Sequence, residues 1–213
     1  MSRYTLHGRY GWGSVLTEAQ LEWYGLPFDF VDVGDLFEEA EARKRLAKIN
    51  PLAQVPALIL PDGEVMTETA AITFHLADAA GSHDLVPEPH DATRPRFLRW
   101  LIFIVANIYP TFTYADVPQR FVPGAKAAQG FRTNVDEHQK TLWRMVEPEA
   151  RAPWFLGERF SALDIYLCAM TRWRPNRPWF EKNTPKLVAA ADRCNDLPKL
   201  KPVWQRNYPP EGA

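Results

Sequence analysis

Two stretches of this sequence hold residues whose types and spacing could do chemistry. One is Asn50–Ala80, NPLAQVPALILPDGEVMTETAAITFHLADAA; the other is the glycine-rich run Gly8-Arg9-Tyr10-Gly11-Trp12-Gly13-Ser14. In the first, Asn50-Pro51 is a turn signal leading into Gln54-Val55-Pro56. Pro56 has no backbone N–H, so it belongs at the first position of a strand or on an edge. Further on, Thr67-Glu68-Thr69 precedes Ala71, Ile72, His75 and Leu76, an apolar set at helical spacing. Thr69 can cap that helix, leaving backbone N–H groups and a positive dipole end beside Glu68 and Thr69. A proline-fixed backbone edge close to a helix N-terminus suits a small anionic, peptide-like ligand. The same features also fit an ordinary hairpin followed by a capped helix.

The elements that must position these residues follow from pattern. Tyr4–His7 is short and alternating, a first strand, and three glycines in the next seven residues let backbone approach a ligand closely. Ser14 is an N-cap candidate for a helix carrying Val15, Leu16, Ala19 and Trp23, closed by Gly25. Phe28–Val33 reads as a second strand, which makes a βαβ unit, and Leu36–Ile49 as an amphipathic surface helix. Two short apolar runs around Pro61-Asp62-Gly63 read as a hairpin. The order is therefore β-α-β-α-β-β-α. Proline and glycine without periodicity place a linker at 81–92, dividing a domain 1–80 from a region 93–213 with no convincing strand signal. In that region Trp100, Leu101, Ile104, Val105 and Ile108 form a helical stripe ending near Tyr109-Pro110, and Ala125–Val146 is a second long helix. Ser161-Ala162-Leu163-Asp164 is a capping box with aspartate in the glutamate position, a structural helix start. Thr184–Cys194 is another helix, and the tail from Asn195 reads as proline-punctuated coil around Trp204.

The combined pattern N-P-x-x-x-V-P-x-L, then D-G, then E-T-x-A-I-x-x-x-L resembles the glutathione-binding half of cytosolic glutathione S-transferases of bacterial type, and the resemblance extends over nearly the whole chain. It implies an α/β thioredoxin-like N-terminal domain followed by an all-α helical domain. It also implies that Pro56 follows a cis bond, and that the backbone of Val55 pairs with the cysteinyl part of glutathione. Glu68 and Thr69 then hold the γ-glutamyl end. The position before the valine, often basic in the family, is Gln54 here, and Trp12 joins the binding set. Homodimerisation is a further implication of the resemblance.

Glutathione transfer requires a thiolate at neutral pH. A free cysteine thiol titrates near about 8.5. Lowering that by about two units corresponds to roughly 2.7 kcal/mol of differential stabilisation, which a helix N-terminus and one hydrogen bond can supply. The family places its Ser, Tyr or Cys in the loop after the first strand. Counting back from Gly25, the usual serine falls on Gly11 and the usual cysteine on Gly13. Three candidates remain: the Ser14 hydroxyl, favoured because the helix field is strongest there; the Tyr10 hydroxyl on the strand side; and the backbone N–H groups of Trp12 to Ser14. The second substrate is expected to be a hydrophobic electrophile walled by aromatic groups of the helical domain, Tyr109, Phe112, Tyr114 and Trp173. A glutathione-dependent isomerase, lyase or peroxidase, and a non-catalytic binding or regulatory protein, are the alternatives that the same scaffold allows.

Bulk properties narrow the field. The 213 residues suffice for one large or two small domains, and 46% hydrophobic with 24% charged residues is ordinary for a globular protein. A formal net charge of −1 argues against a broad nucleic-acid footprint. Met1-Ser2-Arg3 opens no charged-then-apolar leader and the run Trp100–Ile108 is too short to span a bilayer, so a cytoplasmic protein without membrane partners is expected. Cys168 and Cys194 form neither a disulfide framework nor a C-x-x-C pair, and the five histidines show no metal spacing.

Overall fold

A strand that alternates buried and half-buried residues, β1 (Tyr4–Gly8), is the centre on which the N-terminal elements assemble in the computed structural model, which describes residues 3–209. It is followed by α1 (Val15–Tyr24), β2 (Phe28–Asp32), α2 (Ala40–Ala47), β3 (Ala57–Ile59), β4 (Val65–Met66) and α3 (Thr69–Ala80). The sheet order is β2-β1-β3-β4, with β1 and β2 parallel and the other two pairings antiparallel. This is the thioredoxin-like order expected from the pattern. One face of the sheet buries Leu6 and Leu58 against Leu21 of α1 and Ile72 and Leu76 of α3. On the other side Ala42 and Leu46 of α2 close over Ala57, Val33 and Leu36, with Trp12, Ile49 and Val55 packed against them. Gly25 ends α1 in the left-handed conformation, which a residue with a Cβ adopts only at a cost.

The helical region comprises α4 (Arg94–Phe103), α5 (Tyr109–Asp116), α6 (Ala125–Val146), α7 (Ala162–Met170), α8 (Arg177–Asn183) and α9 (Pro185–Asn195), and α10 (Lys201–Asn207) follows. Contacts divide the chain into two compact units, one running to Val86 and resuming at Cys194, the other Pro87–Arg193.

The structure differs from the sequence pattern at four places. The helix after β2 starts at Ala40, not Leu36, because Asp35 takes the N–H groups of Phe37 and Glu38 into a turn. The stripe Trp100–Ile108 does not stop at Tyr109-Pro110: a π-helical turn, Ile104–Ile108, carries the chain into α5, the Tyr109 N–H bonding the Ile104 carbonyl, and Pro110 follows directly after it. The helix begun by the capping box, expected to end in Arg172-Trp173-Arg174, stops at Met170, so Arg172 and Trp173 lie beyond α7. The tail after Asn195 is not coil but contains α10, with proline again in the first turn and Val203, Trp204 and Asn207 buried. This tail belongs with the N-terminal unit rather than with the helical one.

Ser161 and Asp164 form the expected capping box at the start of α7. Asp164 is fully buried, and its carboxylate accepts from the Phe155 N–H at 2.8 Å and the Ser161 N–H at 2.9 Å. Burial pushes this carboxyl up from 3.8 to about 7, against the opposing pull of those donors. A carboxyl whose native pKa lies above its unfolded value contributes stability that is fully present below the unfolded value and is lost as pH rises through the native one. Between about pH 4 and about pH 7 the melting temperature of the wild type is therefore expected to fall relative to that of Asp164→Asn. Ser161→Ala is expected to lower unfolding free energy by about 0.5–2 kcal/mol, measured by denaturant titration.

Candidate functional site

The loop between β1 and α1 is closed by one side chain. Ser14 is completely buried; its hydroxyl donates to the Arg9 carbonyl and accepts from the Arg9 N–H, both at 3.0 Å. Gly8 is obligatory beneath it, since a Cβ there would lie 2.5 Å from both Cβ and Oγ of Ser14. Ser14 is the N-cap residue of α1, as expected, but its hydroxyl is turned to Arg9 and not to a ligand. Its backbone is already helical (φ −64°, ψ −21°), no side-chain cap is made, and its proton is committed to Arg9. Among the described residues, none accepts a hydrogen bond from the N–H of Gly13 or of Ser14. Those two groups sit at the N-terminus of the ten-residue α1, where the helix field is positive. Tyr10 is 44% exposed, and its ring stacks on Phe30 with centroids 4.6 Å apart and planes 4° from parallel. Trp12 lies between Phe37, at 5.0 Å, and the Arg9 guanidinium, at 5.6 Å.

The Val55-Pro56 bond is cis, as the resemblance implies. Asn50 prepares it: buried, it donates from Nδ2 to the Gln54 carbonyl at 2.8 Å and accepts from the Leu52 N–H at 3.1 Å. The residue was legible in the sequence only as half of a turn signal. Val55 packs against the same apolar cluster as Trp12, and among the described residues neither its N–H nor its carbonyl has a hydrogen-bond partner. Pro56 is buried and Gln54 exposed. The chain thus presents a complete peptide edge where β3 begins.

The cap of α3 also differs from expectation. Glu68, not Thr69, is the N-cap, and neither side chain closes the helix; Thr69 is its first residue and nearly buried. Glu68 has φ 64° and ψ 103°, conformational territory in which non-glycine residues are strained. Among the described residues, the N–H groups of Thr69, Ala70 and Ala71 have no acceptor, so a carboxylate and three backbone donors stand together.

In the helical unit, Tyr109, Phe112 and Trp173 form one edge-to-face cluster with centroids 5.5–6.1 Å apart, and Arg174 lies 5.6 Å over Phe112. Tyr114 does not join them. It packs on Phe121 and lines a separate cleft of about 340 Å³ with Asn107, Phe131, Asn134 and His138. The residues that sequence reasoning missed lie at the far end of the chain: Asn207 Oδ1 accepts from the Gly11 N–H at 3.0 Å. No local pattern could have signalled a partner 196 residues away. Among the described residues there is no cluster of side chains able to hold a metal, and no helix long and apolar enough to cross a membrane.

Known proteins resemble this chain in sequence and fold. The family profile "Glutathione S-transferase, N-terminal domain" matches residues 17–79. An Escherichia coli K12 protein described as the uncharacterized GST-like protein YncG is 41% identical over 203 residues, 95% of this chain and 97% of that one. Glutathione S-transferase GstA of Escherichia coli O157:H7 is 29% identical over 163 residues, 75% of this chain and 77% of its own. A crystal structure of a glutathione transferase homologue from Sulfitobacter with bound glutathione superposes with a TM-score of 0.84 at 25% identity, covering 95% of this chain and 97% of that chain.

The strain at Glu68 gives a test that needs no ligand. Glycine relieves the left-handed backbone, worth roughly 1–2 kcal/mol, and gives part of this back through the entropy of the unfolded chain. Glu68→Gly is expected to be more stable than Glu68→Ala by about 1 kcal/mol in denaturant unfolding.

Proposed function

The chain belongs to the glutathione S-transferase family, and from that premise we propose that it binds glutathione and presents its thiolate to a hydrophobic electrophile. The observation that carries the reading is the open peptide edge of Val55, whose N–H and carbonyl can pair antiparallel with the cysteinyl residue of the tripeptide. The first-turn N–H groups of α3 suit the γ-glutamyl carboxylate, and the Glu68 carboxylate suits the adjacent ammonium. Gln54, exposed next to Val55, is the candidate for the glycine end, and Trp12 and Pro56 form the apolar floor.

The thiol is assigned to main-chain donors. With the Ser14 proton held by Arg9, the N–H groups of Gly13 and Ser14 at the positive end of α1 are the means of stabilising a thiolate. Tyr10 is the remaining hydroxyl in the loop, and its stacking on Phe30 favours a wall of the site over a donor. The Tyr109–Phe112–Trp173 cluster supports an apolar acceptor substrate, with Tyr114 as an outlying aromatic. A detoxifying conjugation by a cytoplasmic homodimer is the expected setting, an inference from family membership.

A second reading, a glutathione-binding protein without transferase activity, is favoured by one observation: the two positions where the family's serine and cysteine would fall are Gly11 and Gly13. Ultraviolet thiolate absorbance of bound glutathione against pH separates the two. The transferase reading expects a thiol titrating clearly below about 8.5, the value of a free cysteine. A titration at the free value supports the binding protein, and no binding by calorimetry overturns both. Ser14→Ala is expected to lower stability by about 1–3 kcal/mol, because it takes the acceptor from the Arg9 N–H, and to move that titration toward the free value only through the loosened loop. Glu68→Ala with Thr69→Val is expected to weaken binding by about 1.5–3 kcal/mol for each charge-assisted bond lost.

A further inference from the structure

The tail helix α10 carries a buried polar chain that ends on the glycine loop. Asn207 is 5% exposed and the Glu18 side chain 2%. Asn207 Nδ2 donates to Glu18 Oε2 at 2.7 Å and to the Val203 carbonyl at 3.0 Å, and Asn207 Oδ1 accepts from the Gly11 N–H at 3.0 Å. The other Glu18 oxygen is taken by Arg206, whose Nε and Nη2 lie at 3.0 and 2.8 Å.

The orientation of the Asn207 amide is decided by chemistry. A carboxylate and a carbonyl accept only, so the NH2 group must face Glu18 and Val203, and the oxygen is left for the one donor present, Gly11. Gly11 has φ +76°, and a Cβ there would come within 3.3 Å of the Asn207 carbonyl oxygen. Gly11 is thus held by α10 at close range, two residues ahead of the N–H groups assigned to the thiol.

We propose that Asn207 is a positioning residue for the loop that receives the thiol: oriented by Glu18, its amide oxygen pins Gly11 and thereby sets where the N–H groups of Gly13 and Ser14 stand. The proposal rests on the glutathione reading above. It assigns the end of the chain a task in thiol activation that contact with substrate does not require. Glu18→Gln tests the same chain from its other end. A glutamine that keeps its oxygen on Arg206 turns its NH2 to Asn207, and Asn207 must then flip and lose Gly11.

The test compares wild type, Asn207→Ala, Glu18→Gln and Trp204→Phe as full chains, with glutathione as the probe. Trp204→Phe loosens the same helix by removing a different bond, from Nε1 to the Cys194 carbonyl at 3.3 Å. Amide hydrogen exchange without ligand is expected to speed up at Gly11 and Trp12, whose N–H groups are bonded in the wild type, in Asn207→Ala and Glu18→Gln. In both, the thiol of bound glutathione is expected to titrate closer to about 8.5 than in wild type. Affinity measured below both thiol pKa values should change little, since the thiolate is not populated there. Trp204→Phe is expected to lower the melting temperature without moving the thiol titration. Unchanged exchange at Gly11 and Trp12 overturns the proposal whatever glutathione does, and so does faster exchange with an unmoved titration. If wild type itself holds no thiolate below the free value, the transferase reading fails and this proposal with it; the wild type decides the first question and the variants the second. Should Asn207→Ala not fold, Glu18→Gln carries the same outcomes.

Discussion

One hydroxyl, that of Ser14, governs the first unit. Completely buried itself, it bonds both main-chain groups of the half-buried Arg9, where an unpaired donor costs about 1–3 kcal/mol. The bond pulls the start of α1 against the end of β1 so tightly that β1 can finish only in glycine. It also leaves Trp12 to fold down on the α2 side of the sheet and keeps the hydroxyl away from any ligand. The division of labour follows: the side chain builds the loop, and the main chain is what the loop offers.

Much of this was legible in the sequence because it is local. The turn at Asn50-Pro51, the proline edge at Val55-Pro56, the hairpin around Pro61-Asp62-Gly63, the C-cap at Gly25 and the capping box at Ser161–Asp164 each declare themselves within a few residues. Ser14 is legible as the N-cap residue of α1, but the direction of its hydroxyl is not, because a cap bond and a loop lock call for the same residue type at the same place. Thr69 was assigned the cap that Glu68 occupies, since a strained backbone at a glutamate leaves no trace in pattern. The tail helix was read as coil because Pro202 counts as a breaker unless it falls in the first turn, where it is tolerated. Its bond to Gly11 depends on residues at opposite ends of the chain.

The helical unit is organised around a different kind of constraint. Asp164 ties the main chain at Phe155 to the start of α7, so a carboxylate placed to cap a helix also fixes the approach of the preceding segment. Farther along, Arg174 pairs with Asp116 at 2.7 Å and with Asp136 at 3.4 Å while its plane covers Phe112, joining α5, α6 and the segment after α7. The aromatic cluster beside it is therefore held by ionic anchors and not by apolar packing alone. That Tyr114 faces away from Tyr109 and Phe112 follows from position on α5, because residues two and five apart do not share a helical face.

The π-helical turn at Ile104–Ile108 has a bearing on ancestry. Such a turn accommodates one residue more than a regular helix would, so everything after it is rotated by about 100° relative to an unbroken α-helix. The aromatic faces of Tyr109 and Phe112 owe their direction to that surplus residue. Relatives that lack it would carry the same letters on a different side of the helix. Alignment across this point can thus match residues that occupy different space, and diversification of what this face touches requires only a single-codon length change, with no substitution at the face itself.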